Sequence, residues 1–265
     1  MITYHNAYLC KITKSTQIAI EASDKVDCTW QEQVPKEYHM FRKVFSEEES
    51  QRFPESRPWD HAIELLPDAS QTLDCKVYPL TPGEQESLDK FLDEHLNKGY
   101  ICPSKSQYAS PFFFIKKKDG KLHPVQDYRA LNKWTIRNKY PLPLIKELIT
   151  KLSKKKFFTK FDVRWGYNNI RIKEGDQWKA TFKTNRGLFE PKVMFFGLTN
   201  SPATFQTMMD DLFRDDLAKG DIIIYMDDIL ITTDSDIVQH KFKVTHVLNK
   251  LMKNNVTTVT LDLKS

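Results

Sequence analysis

The amino-acid sequence predicts an α+β fold. Short runs rich in β-branched and aromatic residues, which are typical of strands, lie between segments with the apolar spacing of helices. These elements do not follow the regular strand–helix alternation of a parallel α/β protein, so an α+β arrangement is favoured. Apolar residues make up 40% of the 265 residues and charged residues 28%. That composition is enough for a sizeable core and excludes global disorder.

The composition also indicates a location. Free thiols in a reducing compartment are favoured over a disulfide framework or a zinc ribbon, because no C-x-x-C pair occurs among Cys10, Cys28, Cys75 and Cys102. The most apolar runs, 112–115 and 222–231, are well short of the roughly 20 residues that span a bilayer. The N-terminus has no secretory pattern. We therefore expect an intracellular, cytoplasmic protein that is neither secreted nor inserted in a membrane.

Charge is distributed unevenly along the chain, although the net charge is only +5. Residues 116–160 contain 14 Lys/Arg and 3 Asp/Glu, whereas residues 205–240 contain 9 Asp and 2 Lys/Arg. A basic block followed by clustered carboxylates suits a polyanion site beside a metal site. The alternative to a polyanion site is that the basic block is a face of lysines exposed to solvent.

The elements are predicted in chain order as follows. Residues 1–34 have no assignable pattern, and residues 35–80, rich in Pro, Glu and aromatics, predict an extended segment that wraps a larger body. A helix begins after Thr81, where Thr-Pro-Gly-Glu forms a capping box, and it ends at Gly99. The remaining predicted elements are a hairpin over 112–128, a helix at 142–152, strands at 157–163 and 168–172, a hairpin at 179–195, a helix from Ser201, a hairpin over 222–232 and a helix over 244–252.

Two adjacent carboxylates, Asp227 and Asp228, lie at the tip of the apolar 222–232 hairpin. Aspartate is a common turn residue, but a pair bracketed by buried strands is costly unless cations neutralise it. Asp162 ends another apolar strand. If the two strands are neighbours, three hard carboxylate ligands converge, which suits Mg²⁺, and the pKa of at least one of them is expected to rise.

These residues also carry a family resemblance. Tyr225-Met226-Asp227-Asp228, preceded by Phe161-Asp162-Val163, resembles the palm of reverse transcriptases, in particular those of gypsy-type LTR retrotransposons of fungi. The segment SPFFFIKKKDGKLHPVQDYRALN is similar to the fingers hairpin of that family. The segment FDVRWGYNNIRIKEGDQWKATFKTNRGLFEPKVMFFGLTNSPATFQTMMDDLFRD is similar to its palm core. The resemblance covers about residues 35–250. It implies a right-hand polymerase, with fingers and an antiparallel palm sheet.

The resemblance implies a metal site and a nucleotide site. Asp162, Asp227 and Asp228, assisted by the Val163 carbonyl, would hold two Mg²⁺ ions, for which Mn²⁺ could substitute. The residues that would contact the incoming nucleotide are Trp165 and Gly166 through their amides, Tyr167 under the sugar, Lys117 on the γ-phosphate, and Phe196. As alternatives, Tyr167 and Phe196 are core aromatics and Lys117 is a solvated lysine. Asp127 and Arg129 are expected to form an ion pair.

The sequence departs from the family pattern at two places. His123 stands where the family has a fingers arginine, and histidine is mostly neutral at pH 7. After Asn254 the chain reads NVTTVTLDLKS instead of leading into a primer grip. We therefore expect fingers and palm over 81–255, a tail at 256–265, and no thumb or RNase H region.

The resemblance implies an RNA-directed DNA polymerase that transfers a nucleotide from a dNTP to a primer 3′-hydroxyl. Its partners would be an RNA or DNA template with its primer, dNTPs, and a thumb/RNase H region supplied by another chain. The alternative is a catalytically inert retrotransposon remnant that folds and at most binds nucleic acid. A structural domain without affinity for nucleic acid is disfavoured by the basic block.

Overall fold

The computed structural model describes residues 29–116, 120–141, 143–153 and 155–264. The segment 1–28 and Lys117, both of which figure in the sequence analysis, lie outside the described residues. The helices are α1 (Trp30–Gln33), α2 (Arg42–Phe45), α3 (Glu47–Ser50), α4 (Pro82–Asn97), α5 (Arg129–Trp134), α6 (Ile145–Leu152), α7 (Ser201–Leu212), α8 (Arg214–Lys219) and α9 (Ile237–Lys253). Short 3₁₀ helices cover Lys36–Phe41, Gly166–Asn169 and Gln177–Ala180.

The strands form two sheets. They are β1 (Leu73–Asp74), β2 (Ile101–Pro103), β3 (Tyr108–Lys116), β4 (Leu122–Gln126), β5 (Phe157–Val163), β6 (Phe182–Thr184), β7 (Gly187–Pro191), β8 (Ile222–Tyr225), β9 (Asp228–Thr233) and β10 (Thr258–Lys264). The predicted α+β class is confirmed.

The palm sheet has four antiparallel strands in the order β10-β5-β9-β8. Helices α7 and α9 pack against it, and burying such side chains contributes about 1.5–3 kcal/mol each. Their shared buried cluster includes Phe161, Ile229, Ile231, Phe205, Met208, Met209, Val244, Val247, Leu248 and Leu251. This core fixes the relative position of β5 and β9, the strands that carry Asp162 and Asp228.

The fingers sheet has six strands in the order β1-β3-β6-β7-β2, with β4 paired to β3. Helix α4 packs against it through a second buried cluster that includes Leu88, Phe91, Leu92, Tyr108, Phe112, Phe182 and Phe195. The capping box of α4 is present as predicted, because Thr81 Oγ1 accepts from the Glu84 amide and the Glu84 carboxylate accepts from the Thr81 amide. The Asp127–Arg129 ion pair is also present, at 2.6 Å.

The expected extended segment 35–80 is helical in its first third. Lys36–Phe41 is a 3₁₀ helix that continues into α2 and α3. Tyr38, Phe41, Val44 and Phe45 are buried in the palm core. Their spacing of three and four residues is helical, and the proline and glutamate content of the segment obscured it.

Two further expectations differ from the structure. The strand predicted at 168–172 is replaced by the Gly166–Asn169 3₁₀ turn, after which Arg171 and Ile172 form only isolated bridges. The expected tail at 256–265 contains β10, which pairs with β5 at the edge of the palm sheet. The alternating residues of TVTLDLK are typical of a strand. None of the described helices is both long enough and apolar enough to cross a bilayer.

Candidate active site

The β5–β9 ladder brings together two of the three aspartates. Asp162 and Asp228 are direct partners across this antiparallel pair, and Asp228 also pairs with Tyr225 on β8. Asp227 lies in the turn between β8 and β9, and its carbonyl accepts a 2.8 Å hydrogen bond from the Val163 amide. The three aspartates and Val163 therefore share one end of the palm sheet, as the sequence predicts.

Met226 gives the turn an unusual backbone conformation. Its φ is +51°, in the left-handed region that residues with a Cβ seldom adopt. Its amide donates to Gln206 Oε1 at 3.2 Å. The β8–β9 turn is thus held by a side chain of helix α7 as well as by the strand ladder.

The Asp227 carboxylate is crowded and incompletely satisfied. Its Oδ1 is buried and has no hydrogen-bond partner. A Cβ at Gly166 would lie 2.6 Å from that oxygen, so any larger residue would force the carboxylate to shift. Burial, followed by the charges of Asp162 and Asp228, raises the pKa of Asp227. Such a carboxylate has an unused lone pair that a cation could take.

A lysine changes the environment of the other two carboxylates. Lys160 Nζ lies 2.8 Å from Asp228 Oδ1, since Lys160 is two residues before Asp162 and shares its face of β5. Burial first and the Asp228 charge second raise the pKa of Asp162, while Lys160 lowers it. The raised pKa values of Asp162 and Asp227 agree with the expectation that these carboxylates repel one another.

The carboxylates do not converge as a finished metal site. Across the described part of the chain, no group of three or more His, Cys, Asp or Glu side chains is arranged to hold a metal ion. Within the site, the Asp228 carboxylate is bound by the Lys160 ammonium. The sequence places the ligands at one sheet end but does not predict this internal cation.

The segment after Asp162 is tightly turned. Trp165 has a φ of +49° and precedes the 3₁₀ turn of Gly166 and Tyr167. The buried ring of Tyr167 lies 4.8 Å from the Phe196 ring and 5.8 Å from the Phe205 ring. Tyr167 and Phe196, predicted separately from the sequence, are therefore in contact beside Asp227.

A cavity of about 450 Å³ opens between the palm and helix α4. His123, Trp165 and Phe196 line it, together with Phe91 and His95 of α4. Trp165 and Phe196 are each 52% exposed, so part of each aromatic side chain is accessible to a ligand. Three of the predicted substrate residues thus meet in one cavity.

Sequence reasoning missed two residues that contact the site. Lys160 binds the Asp228 carboxylate, and Gln206 accepts a hydrogen bond from the Met226 amide. A buried glutamine within an apolar helix face was the available signal for Gln206, since buried polar groups require partners.

Comparison with known proteins identifies the family. Residues 115–260 match the model of the reverse transcriptase (RNA-dependent DNA polymerase) family. The chain is 34% identical over 225 residues to the Tf2-3 and Tf2-4 transposon polyproteins of Schizosaccharomyces pombe, an alignment that covers 84% of this chain. The chain belongs to the reverse transcriptase family, and its relatives are retrotransposon polyproteins, as the sequence predicts. It spans 17% of the length of those relatives.

Solved structures support the fold. The native protease-reverse transcriptase of prototype foamy virus is 22% identical, with a TM-score of 0.71 over 84% of this chain and 29% of that chain. The foamy viral protease-reverse transcriptase in complex with RNA/DNA hybrid is 20% identical, with a TM-score of 0.74 over 93% of this chain and 33% of that chain. The predicted fingers and palm architecture is confirmed.

Proposed function

We propose that this chain is the fingers and palm part of an RNA-directed DNA polymerase that joins a dNTP to a primer 3′-hydroxyl. The observation that carries the proposal is the placement of Asp162 opposite Asp228, with the raised pKa of Asp162 and Asp227. Perturbed carboxylates that share one end of a sheet mark a functional site. The fingers and palm boundaries of 81–255 extend in this proposal to include β10.

Members of this family generally use divalent metal ions, and the donors present here suit Mg²⁺ or Mn²⁺. Asp162, Asp227, Asp228 and the Val163 carbonyl would hold two ions. The unsatisfied buried Asp227 Oδ1 supports this assignment, because a buried oxygen without a partner is costly. When bound, the ions would activate the primer hydroxyl and stabilise the leaving pyrophosphate. Asp228 would exchange its Lys160 contact for a metal contact.

The incoming nucleotide would occupy the cavity lined by His123, Trp165 and Phe196. Phe196 and Trp165 are half exposed, and Trp165 and the adjacent Gly166 would present their amides to the triphosphate. The Tyr167 ring, held between Phe196 and Phe205, would lie under the sugar and exclude a 2′-hydroxyl. His123 lines the same cavity and would contact the triphosphate together with Lys117.

The template and primer would bind next to the basic block. One neighbour of known structure is a foamy viral protease-reverse transcriptase in complex with RNA/DNA hybrid, and another is in complex with dsDNA. We propose that this chain binds RNA or DNA template with its primer, through the lysines and arginines of 116–160. A thumb and RNase H region, in the same polyprotein or another chain, would complete the duplex cleft.

A second candidate function is an inert remnant that folds and binds nucleic acid only. Two observations favour it: Lys160 already neutralises Asp228, and the described carboxylates do not form a three-ligand set. His123 in place of arginine also weakens the triphosphate contact. The choice between the two functions depends on whether the carboxylates accept metal.

Primer extension on a homopolymer template with Mg²⁺ or Mn²⁺ tests the proposal. We expect the chain alone to extend a primer weakly, because a misplacement of ~1 Å can cost on the order of 10²-fold in rate. Fusion to the thumb region of a relative is expected to restore more activity than His123→Arg. An Asp227→Asn variant of the fusion is the control. A folded fusion with no activity above that control would establish the inert alternative.

A further inference from the structure

Gln206 is a fully buried polar residue in the apolar part of helix α7. Both ends of its amide are used. Its Oε1 accepts from the Met226 amide at 3.2 Å, and its Nε2 donates to Asp210 Oδ1 at 2.8 Å, one helical turn further on. Because a backbone N–H can only donate, the carboxamide orientation is fixed by its two partners.

Asp210 continues the chain of hydrogen bonds. Its second oxygen, Oδ2, accepts from the Tyr140 hydroxyl at 2.7 Å. The Asp210 side chain thus accepts a hydrogen bond on each of its two oxygens. The series from Tyr140 through Asp210 and Gln206 to Met226, here called the Gln206 relay, joins the segment after α5 to the turn between β8 and β9.

The β8–β9 turn needs such a support. Met226 adopts a left-handed conformation, which is unfavourable for a residue with a Cβ. Asp227 and Asp228 follow it directly, and Asp228 is paired with Asp162 across β5 and β9. The hydrogen bond from the Met226 amide holds this conformation, and its loss would leave the buried side-chain oxygen of Gln206 unsatisfied.

We propose that Gln206 is a positioning residue: through the Met226 amide, and anchored by Asp210 and Tyr140, it holds the β8–β9 turn in the conformation that presents Asp227 for metal binding. This inference rests on the proposed function of the aspartates. Gln206 itself does not touch substrate or metal. Its effect on the reaction is transmitted through the backbone of the turn.

The full chain labelled with ¹⁵N-methionine provides a direct test. The chain has 7 methionines, and Met226→Leu identifies the Met226 amide resonance. In Gln206→Leu we expect this resonance to move upfield and its hydrogen exchange to accelerate. Mn²⁺ affinity is expected to fall roughly tenfold, equivalent to about 1.4 kcal/mol. Thr207→Ala, a neighbour on α7 outside the relay, is the control and leaves both quantities unchanged.

A rescue experiment separates positioning from general destabilisation. Gln206→Glu places two carboxylates side by side and breaks the relay. Adding Asp210→Asn to this variant restores the relay with reversed polarity. The new amide at position 210 donates through its Nδ2 to the new carboxylate at position 206, and its Oδ1 accepts from the Tyr140 hydroxyl. We expect the double variant to recover the Met226 resonance and most of the Mn²⁺ affinity.

The outcomes are distinguishable. An unshifted Met226 resonance in Gln206→Leu, or a shifted one with unchanged Mn²⁺ affinity, overturns the inference while the proposed function stands. If the unmodified chain does not bind Mn²⁺, the proposed metal site fails. The inferred presentation of Asp227 to a metal then fails as well, and the resonance reports only whether Gln206 holds the turn.

Discussion

Asp162 and Asp228 face each other directly across an antiparallel strand pair, although like charges in that position are destabilising. The pair persists because the apolar residues before and after it are buried in one core, and because Lys160 offsets part of the repulsion. Stability gained in the core thus supports an unfavourable arrangement at the sheet end. A locally unfavourable arrangement that is compensated elsewhere in the fold is expected at a site that binds a positively charged ligand.

We expect Asp162→Asn to stabilise the metal-free protein at neutral pH. The pKa of Asp162 is raised, so the folded state binds more protons than the unfolded state, and the charged form costs stability as pH rises through the folded pKa. After allowance for solvent screening the gain is at most about 1 kcal/mol. Urea unfolding at pH 7 measures it. A loss of stability in this variant would show that burial and the Asp228 charge do not disfavour the ionised form of Asp162 in the folded state.

Gly166→Ala is expected to destabilise the protein and weaken Mn²⁺ binding. The added Cβ would lie 2.6 Å from Asp227 Oδ1 and 3.1 Å from the Phe205 ring, and overpacking of this kind costs typically about 1–3 kcal/mol. The matched control is Gly83→Ala in helix α4, where the Cβ meets nothing within 4 Å. There we expect a gain of about 0.5–1 kcal/mol. Equal effects of the two variants on unfolding would contradict the predicted contact.

Acid is expected to destabilise the fold through His61. Burial lowers the pKa of His61 to about 4, and its Nδ1 lies 2.9 Å from Thr204 Oγ1. Because the unfolded state takes up the proton first, stability is fully present above pH ~6.5 and falls towards pH ~4, by about 3 kcal/mol. In His61→Gln the dependence measured by urea unfolding is expected to flatten. The slope will not vanish, since burial also lowers the pKa of His240.

Removal of Lys160 is expected to raise the affinity for Mn²⁺ several-fold. In Lys160→Gln the Asp228 carboxylate loses the ammonium 2.8 Å away, so a metal ion no longer competes with it. The metal-free protein is expected to lose less than about 1 kcal/mol, because the pair is half exposed. Titration followed by electron paramagnetic resonance gives the affinity. Lower affinity in the variant would mean that Lys160 assists the metal site.

Affinity for a primer–template duplex is expected to fall steeply with salt. For B-DNA, log K drops by roughly 0.9 per phosphate contact for each unit of log salt. Lys121→Gln, in the turn of the β3–β4 hairpin, is expected to reduce this slope by about one contact. Lys183→Gln, which removes a lysine paired with Asp74 at 2.8 Å, is the control of equal charge. An unchanged slope in Lys121→Gln would place the hairpin outside the interface.

The strands of the palm could be predicted from the sequence because their apolar runs are strongly patterned. The placement of Asp162 at the same sheet end as Asp227 and Asp228 was also predicted, whereas the direct pairing of Asp162 with Asp228 depends on the register of the two strands. Lys160 could not be predicted as a partner of Asp228. The strand period predicts which face of β5 the Lys160 side chain occupies. Whether that side chain extends into solvent or binds a carboxylate depends on the register between β5 and β9.

The missed elements have local causes. The helical spacing of residues 36–50 was obscured by their proline and glutamate content. The Gly166–Asn169 turn depends on the left-handed conformation of Trp165, which no sequence pattern predicts. The Gln206 relay joins residues far apart in the chain. Only tertiary packing brings these residues together, so the periodicity of the sequence does not predict the relay.

Strand β10 has a consequence for solubility. It occupies one side of β5 and so leaves β5 an interior strand of the palm sheet. Without it, the seven residues Phe157–Val163 would present unpaired N–H and C=O groups along an apolar edge, which is a template for edge-to-edge aggregation. The residues of β10 therefore protect the strand that carries Asp162 from intermolecular β-pairing.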